Sequence, residues 1–202
     1  MTVTVKGVED ASVFINLETE YTIDEDSVGA AITFSIHDAE TEAVSLMLQA
    51  VSMDDTQKLL KTSGIMISGL GDDNDEVTLH ITPVANAFGD VTVSLALGDG
   101  FTTVFCTFTL HIANVNDAPT ARNDPVTFDE GSEEVLIEAA DLIANDTDID
   151  GDTLSFDSIQ TTTSVGTLEQ VDADTLRYTP PADFDGEDSF TYIVSDGNGG
   201  TA

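Results

Sequence analysis

The sequence predicts an all-β protein of tandem Greek-key β-sandwich domains, and three observations carry that prediction. Short runs of alternating or β-branched residues recur along the chain, turn residues separate them, and one block of sequence repeats at the spacing of a sandwich domain. In the first half the strand runs are Thr2–Val5, Ala31–Ile36, Val44–Val51, Val77–Thr82, Val91–Leu97 and Val104–Ile112. In the second half they are Leu154–Ile159, Thr175–Thr179 and Ser189–Val194. Two short pieces read as helix, Asp54–Lys61 and Glu138–Ala144.

The repeat sets the domain plan. Pro83–Gly100 aligns without a gap to Pro180–Gly197, an offset of 97 residues. Pro83, Ala85, Gly89, Asp99 and Gly100 match Pro180, Ala182, Gly186, Asp196 and Gly197. A second echo relates Thr2–Ala11 to Thr109–Ala118, each a strand running into an acidic linker. Residues 1–11 therefore read as the last strand and linker of a preceding repeat, 12–117 as a first domain, and 118–202 as a second. After Asp99-Gly100 the first domain continues into Val104–Ile112, whereas Ala202 follows Asp196-Gly197 closely. The expectation is a second domain lacking its final strand. Its open edge could be met head to tail by Thr2–Val5 of a second molecule, or simply be left weakened.

Charge narrows the function. The 202 residues carry 39 Asp plus Glu against 5 Lys plus Arg, a net charge of −34. Such a surface repels nucleic acid and anionic lipid, and it also repels itself. The 41% hydrophobic content separates the chain from a disordered acidic tail. Clustered carboxylates can be neutralised strongly by divalent cations. Cys106 is the only cysteine, so no intrachain disulfide forms. No run of 18 apolar residues predicts a membrane span, and Met1 opens no signal peptide; Met-Thr-Val-Thr-Val reads as a boundary cut into a longer chain.

The most specific local motif is Asp146-Thr147-Asp148-Ile149-Asp150-Gly151-Asp152. Alternate acids ending in Gly let carboxylates point inward as the chain wraps a calcium ion, with Gly taking the sharp turn. The EF-hand pattern then fails, because Asp157 stands where a Glu is required and Leu154–Ile159 reads as strand. The motif is thus a calcium loop on a β scaffold, against the plainer alternative of a solvated acidic turn.

The linker Asn114-Val115-Asn116-Asp117-Ala118-Pro119 carries a family resemblance. It resembles the junctions of cadherins and of cadherin-like repeats in large bacterial RTX-type adhesins exported by type I secretion. Asn145–Asp152, Asp188–Tyr192 and Ser195–Gly200 look like the bacterial repeats in particular. The resemblance is strong in the second domain and weaker in the first. It implies calcium held at each junction. At the central junction the implied ligands are Glu25, Asn116, Asp117, Asp148, Asp150 and Asp196, with Asp146 and Asp152 of the same acidic loop; Asp150 and Asp152 could equally be the downstream pair. An acidic pair late in the upstream domain is represented only by Asp90. At the N-terminal junction the implied set is Glu9, Asp10, Asp38, Glu40 and Asp99, with no Gly in the counterpart loop and fewer ions expected. Glu130, the equivalent of Glu25, would serve a third junction.

Other features read blandly. Asp72–Glu76 is a solvated loop, and His37, His80 and His111 lack zinc-like spacing. Cys106 alternates in phase with Val104, Phe108 and Leu110 and belongs on the core face, as do Phe184, Phe190 and Tyr192 in the second domain. No nucleophile elbow, nucleotide loop or HExxH motif is present, and aromatics are only 6% with no Trp, so neither enzymatic chemistry nor sugar stacking is expected as the main task. The reading is an extracellular, calcium-rigidified extender segment of a secreted or bacterial cell-surface adhesin, partnered by neighbouring repeats of its own chain. The alternatives are a module that binds a glycan or a host or cell-surface protein, with Ser52–Ser63 as its only candidate surface, an accessory module of a secreted enzyme, or a homophilic contact.

Overall fold

The computed structural model describes residues 10–39, 46–70, 76–129, 131–163 and 165–202. Thr2–Val5, Glu9, Glu40, Asp72–Asp75 and Glu130 lie outside them. The chain forms two compact units, Met1–Val115 and Asn116–Ala202.

In the first unit the described strands are β1 (Val13–Ile15), β2 (Glu20–Asp24), β3 (Ala30–His37), β4 (Met47–Ser52), β5 (Ile65–Ser68), β6 (Glu76–Ile81), β7 (Gly89–Gly98) and β8 (Thr103–Ala113). They make two sheets, ordered β1-β3-β6-β5 and β2-β8-β7-β4. All pairs are antiparallel except β2 with β8, which run parallel. Strict alternation along β3, β6, β7 and β8 directs one row of side chains inward. Phe34, Ile36, Leu79, Ile81, Leu95, Leu97, Phe108 and Leu110 form the buried core between the sheets. Cys106 lies in phase with Phe108 and Leu110 on β8 and is half-buried.

The helix expected over Asp54–Lys61 is not formed. The Asp54 carboxylate accepts from the backbone N–H groups of Thr56 (3.0 Å), Leu59 (2.7 Å) and Leu60 (3.3 Å) and from the Thr56 hydroxyl (2.6 Å). Those donors would otherwise serve a helical ladder, and Asp is a residue that competes for them. Gln57 at φ 52° adds a left-handed residue that no helix accommodates. The loop instead closes over Leu60, which is fully buried, and ends in a 3₁₀ turn at Thr62–Gly64.

In the second unit, β9 (Val135–Glu138) leads into the single-turn helix α1 (Ala139–Leu142), followed by β10 (Ser155–Thr161), β11 (Thr167–Gln170), β12 (Thr175–Thr179) and β13 (Thr191–Ser195). The sheets are β11-β12-β9 and β10-β13, all antiparallel. The core is smaller: Ile137, Leu142, Leu168, Leu176 and Tyr178, with Phe156, Ile159, Phe190 and Tyr192 packed against it. The Tyr192 hydroxyl is 2.5 Å from Asp124 Oδ2 and 2.8 Å from the Leu142 carbonyl. Burial, with the adjacent Asp124 carboxylate, pushes its pKa far up. On its second edge β13 meets only the segment at Thr201–Ala202 among the described residues; Val194 and Ala202 exchange backbone hydrogen bonds of 3.0 Å.

The repeated block shares its left-handed turn positions in both units, although the strand is shorter in the second, β13 against β7. Asn86 and Asp183, aligned in the sequence, both sit at φ 55°; Gly89 and Gly186 lie at 135° and 148°, and Gly100 and Gly197 at 93° and 79°. A left-handed non-glycine residue is uncommon, so two at equivalent places mark one turn design used twice. Nearly the whole described structure is strand and connecting turn, as an all-β sandwich requires.

Candidate metal centre

Two loops of the second unit bring the acids together. The first is the acidic loop 146–152. Asp148 Oδ1 accepts from the backbone N–H of Asp150 (2.9 Å) and of Asp152 (3.2 Å), so the alternating acids wrap the chain around the Asp148 side chain. Gly151 makes that turn at φ 82°. The second is the turn after β13. Asp196 is buried, and its Oδ1 accepts from the N–H groups of Asn198 (2.7 Å), Gly199 (3.0 Å) and Gly200 (3.0 Å). Its Oδ2 accepts from Gly200 N–H (3.0 Å) and from Asn116 Nδ2 (2.8 Å). These bonds, the Asn116 amide foremost, hold the Asp196 carboxyl below the ordinary carboxylate range.

One carboxylate oxygen from each of Asp148, Asp152 and Asp196 lies within 4.8 Å of the other two. Oxygens bound to one calcium ion at 2.3–2.6 Å cannot be farther apart than about 5 Å, so the spacing suits a shared ion. Asp148 Oδ2 is buried with no hydrogen-bond partner. A buried carboxylate oxygen without a donor is costly, and a cation removes that cost. The cradle is also closed to a larger residue: a Cβ on Gly200 would stand 2.2 Å from Asp196 Oδ2 and 2.8 Å from Ala118 Cα. The donor set, three hard carboxylates, fits calcium.

The remaining expected ligands take varied places. Asp150 Oδ2 accepts from the Asp117 backbone N–H at 2.7 Å, so Asp150 ties the linker to the acidic loop. Asp146 Oδ1 accepts from Arg122 N–H at 2.7 Å, and its Oδ2 is buried with no hydrogen-bond partner. In the first unit Glu25 is only 1% exposed; its Oε1 accepts from Val115 N–H at 2.9 Å, and its Oε2 is buried without a partner. Asp38 is buried and accepts from Ser12 Oγ at 3.0 Å. Asp10 is exposed at the start of the described residues. Asp99 is spent within its own turn, on the N–H groups of Phe101 (2.7 Å) and Thr102 (2.6 Å) and the Thr102 hydroxyl (3.0 Å). Asp90 faces His111, whose Nδ1 is 2.7 Å from its Oδ1.

Sequence reasoning missed Asn198 as a functional side chain. Its Nδ2 donates to Asp152 Oδ2 at 2.8 Å, which locks the turn after β13 onto the acidic loop. It missed Gly200 as well, whose role depends on what lies across the cradle.

With this geometry the molecule has a cadherin-like β-sandwich fold, and comparison with known proteins supports it. Residues 115–202, less than half of the chain, match the family described as the cadherin-like domain. The chain is similar in fold to the human protocadherin-24 EC1-2 segment, at 13% identity and TM-score 0.51, covering 93% of this chain and 86% of that one. It also aligns with an endo-fucoidan hydrolase of glycoside hydrolase family 107 (16% identity, TM-score 0.41) and with titin domains z1z2 (20%, 0.40), likenesses too low to bear on this chain. The alignments cover 95% and 97% of this chain, and 27% of the hydrolase and 94% of the titin segment. No curated protein matches the sequence. No helix among the described residues is long and apolar enough to cross a membrane.

Proposed function

We propose that the chain is a non-enzymatic, calcium-binding extender segment of an extracellular adhesin, secreted or held at a bacterial surface, and that its two units are tandem repeats of one design. The observation that carries the reading is the convergence of Asp148, Asp152 and Asp196 on one point within the second unit. Calcium there supplies positive charge to three carboxylates that otherwise repel. The chain's own residues do the rest. Gly151 and the Asp148 side chain shape the acidic loop, the three N–H groups after Asp196 aim its carboxylate, and Asp117 and Asn116 fasten the linker to the same cluster. The recurrence of the left-handed pair Asn86 and Asp183 supports the repeat reading. The match of residues 115–202 to the cadherin-like domain supports the adhesive one.

Calorimetric titration of the chain with calcium, paired with small-angle scattering in calcium and in chelator, tests this. The expectation is saturable binding and a larger maximum dimension in calcium. Binding without any change in dimension would leave a calcium protein but remove the extender role, and absence of binding would remove both.

A further inference from the structure

The acid cluster of the second unit contains neutral groups that occupy the role of a cation. Ionised carboxylates only accept hydrogen bonds, so a cluster of them stays together without an ion only if donors are built in among them. Backbone N–H groups serve Asp148 Oδ1 and Asp196 Oδ1, and the Gly200 N–H also reaches Asp196 Oδ2. The remaining contacts come from two side-chain amides: Asn116 Nδ2 on Asp196 Oδ2 and Asn198 Nδ2 on Asp152 Oδ2, each at 2.8 Å. Because a carboxylate cannot donate, the nitrogen and not the oxygen of each amide must face it. Both asparagines are exposed, so either can turn about its last bond without disturbing the core. An amide that turns through half a circle presents an oxygen where its nitrogen had been.

We propose that Asn116 and Asn198 are internal stand-ins for the cation. In the ion-free state their nitrogens cancel part of the carboxylate repulsion, Asn116 keeping the linker on the turn after β13 and Asn198 keeping that turn on the acidic loop. When calcium enters, the amides give up these bonds, and their oxygens become available as neutral ligands. The apo site is thereby kept folded at the cost of affinity, since the ion must displace two charge-assisted hydrogen bonds. The inference rests on the calcium reading but concerns the residues that hold the site without it.

The test exchanges donor for acceptor at constant shape, with Asn116→Asp and Asn198→Asp. Gln160→Glu, on the exposed face of β10, serves as a control for one added charge in the same unit. In chelator each Asn→Asp variant should lower the melting temperature of the second unit by about 5 °C, more than twice the control. In saturating calcium the loss should vanish, and the calcium affinity by calorimetry should rise about tenfold. Melting in chelator no different from Gln160→Glu, or a loss that persists undiminished in calcium, would overturn the stand-in role while the wild type still binds calcium. A wild type that takes up no calcium would instead sink the calcium reading, and this inference with it.

Discussion

The two units carry the same Asp-Gly turn after equivalent strands, and the turns do different things. Asp99-Gly100 and Asp196-Gly197 share a sequence position in the repeat and a left-handed glycine, φ 93° and 79°. Asp99 is spent inside its own turn, on Phe101 and Thr102, and Phe101 is left 77% exposed. Asp196 also caps its own turn, but its Oδ2 accepts from Asn116 as well as from Gly200, and it lies beside Asp148 and Asp152. The aspartate is the same in both; what differs is the company. The second turn is rich in glycine and runs Asn198-Gly199-Gly200, so the chain can pass close to Ala118 and Asp117 where a side chain would collide. The first has Phe101 and Thr102 at the matching place, and Thr102 satisfies the carboxylate locally. Asp196 has no fewer donors than Asp99; what sets it apart is the two carboxylates, Asp148 and Asp152, brought beside it.

The largest expected break between the two turns is in calcium binding. Asp196→Ala should weaken calcium affinity about tenfold or more, and Asp99→Ala should leave it unchanged, both read by calorimetry. Equal losses from the two would mean the site is not the cluster described. A core substitution comes next. Leu60→Ala empties a fully buried position in the first unit and should cost about 2–5 kcal/mol in that unit's unfolding, with calcium affinity untouched. Gly200→Ala follows, because its Cβ would meet backbone at Ala118 and the Asp196 carboxylate. About 1–3 kcal/mol of destabilisation is expected in the second unit, together with weaker calcium binding. Gly100→Ala is the matching control. Nothing stands within 4 Å of its Cβ, and only the left-handed φ of 93° resists, so about 1 kcal/mol in the first unit and no calcium effect are expected by thermal melts.

The alternating strands β3, β6, β7 and β8 are legible in the sequence because six to eleven residues of period two, rich in β-branched side chains, leave little else to form. The edge elements β1, β2, β5, β9 and β11 are not, since three to five residues are too few to show a period and acidic turns surround several of them. Asp54–Lys61 reads as helix by composition, but one carboxylate with four donors outweighs a weak propensity. In the candidate site, Asp148 and Asp152 are legible from local spacing, and Asp196 from the repeat and the family resemblance. Asn198 is not, because its function lies in a hydrogen bond to Asp152 across the fold. Nor does spacing reveal that only the second Asp-Gly turn lies beside other carboxylates, for the dipeptide is identical in both.

The smallest expected effect is on the acid limb of the first unit's melting curve. Hydrogen bonding, with the Thr56 hydroxyl first and the Leu59 N–H next, holds the Asp54 pKa well below the ordinary 3.8, and the N–H groups of Thr102 and Phe101 lower Asp99 likewise. A carboxyl whose folded pKa is depressed contributes stability that is present above its unfolded value and is lost as pH falls toward its folded one. The first unit should therefore lose melting temperature as pH drops below about 4, in chelator so that calcium does not contribute. Asp54→Asn removes one of the groups responsible. It should lower stability at neutral pH, flatten the acid limb of the first unit's melting curve, and leave that of the second unit unaltered. A variant whose acid limb ran parallel to the wild type would show that the Asp54 bonds seen around Leu59 and Leu60 do not hold the loop in solution, and that another connection must close over Leu60.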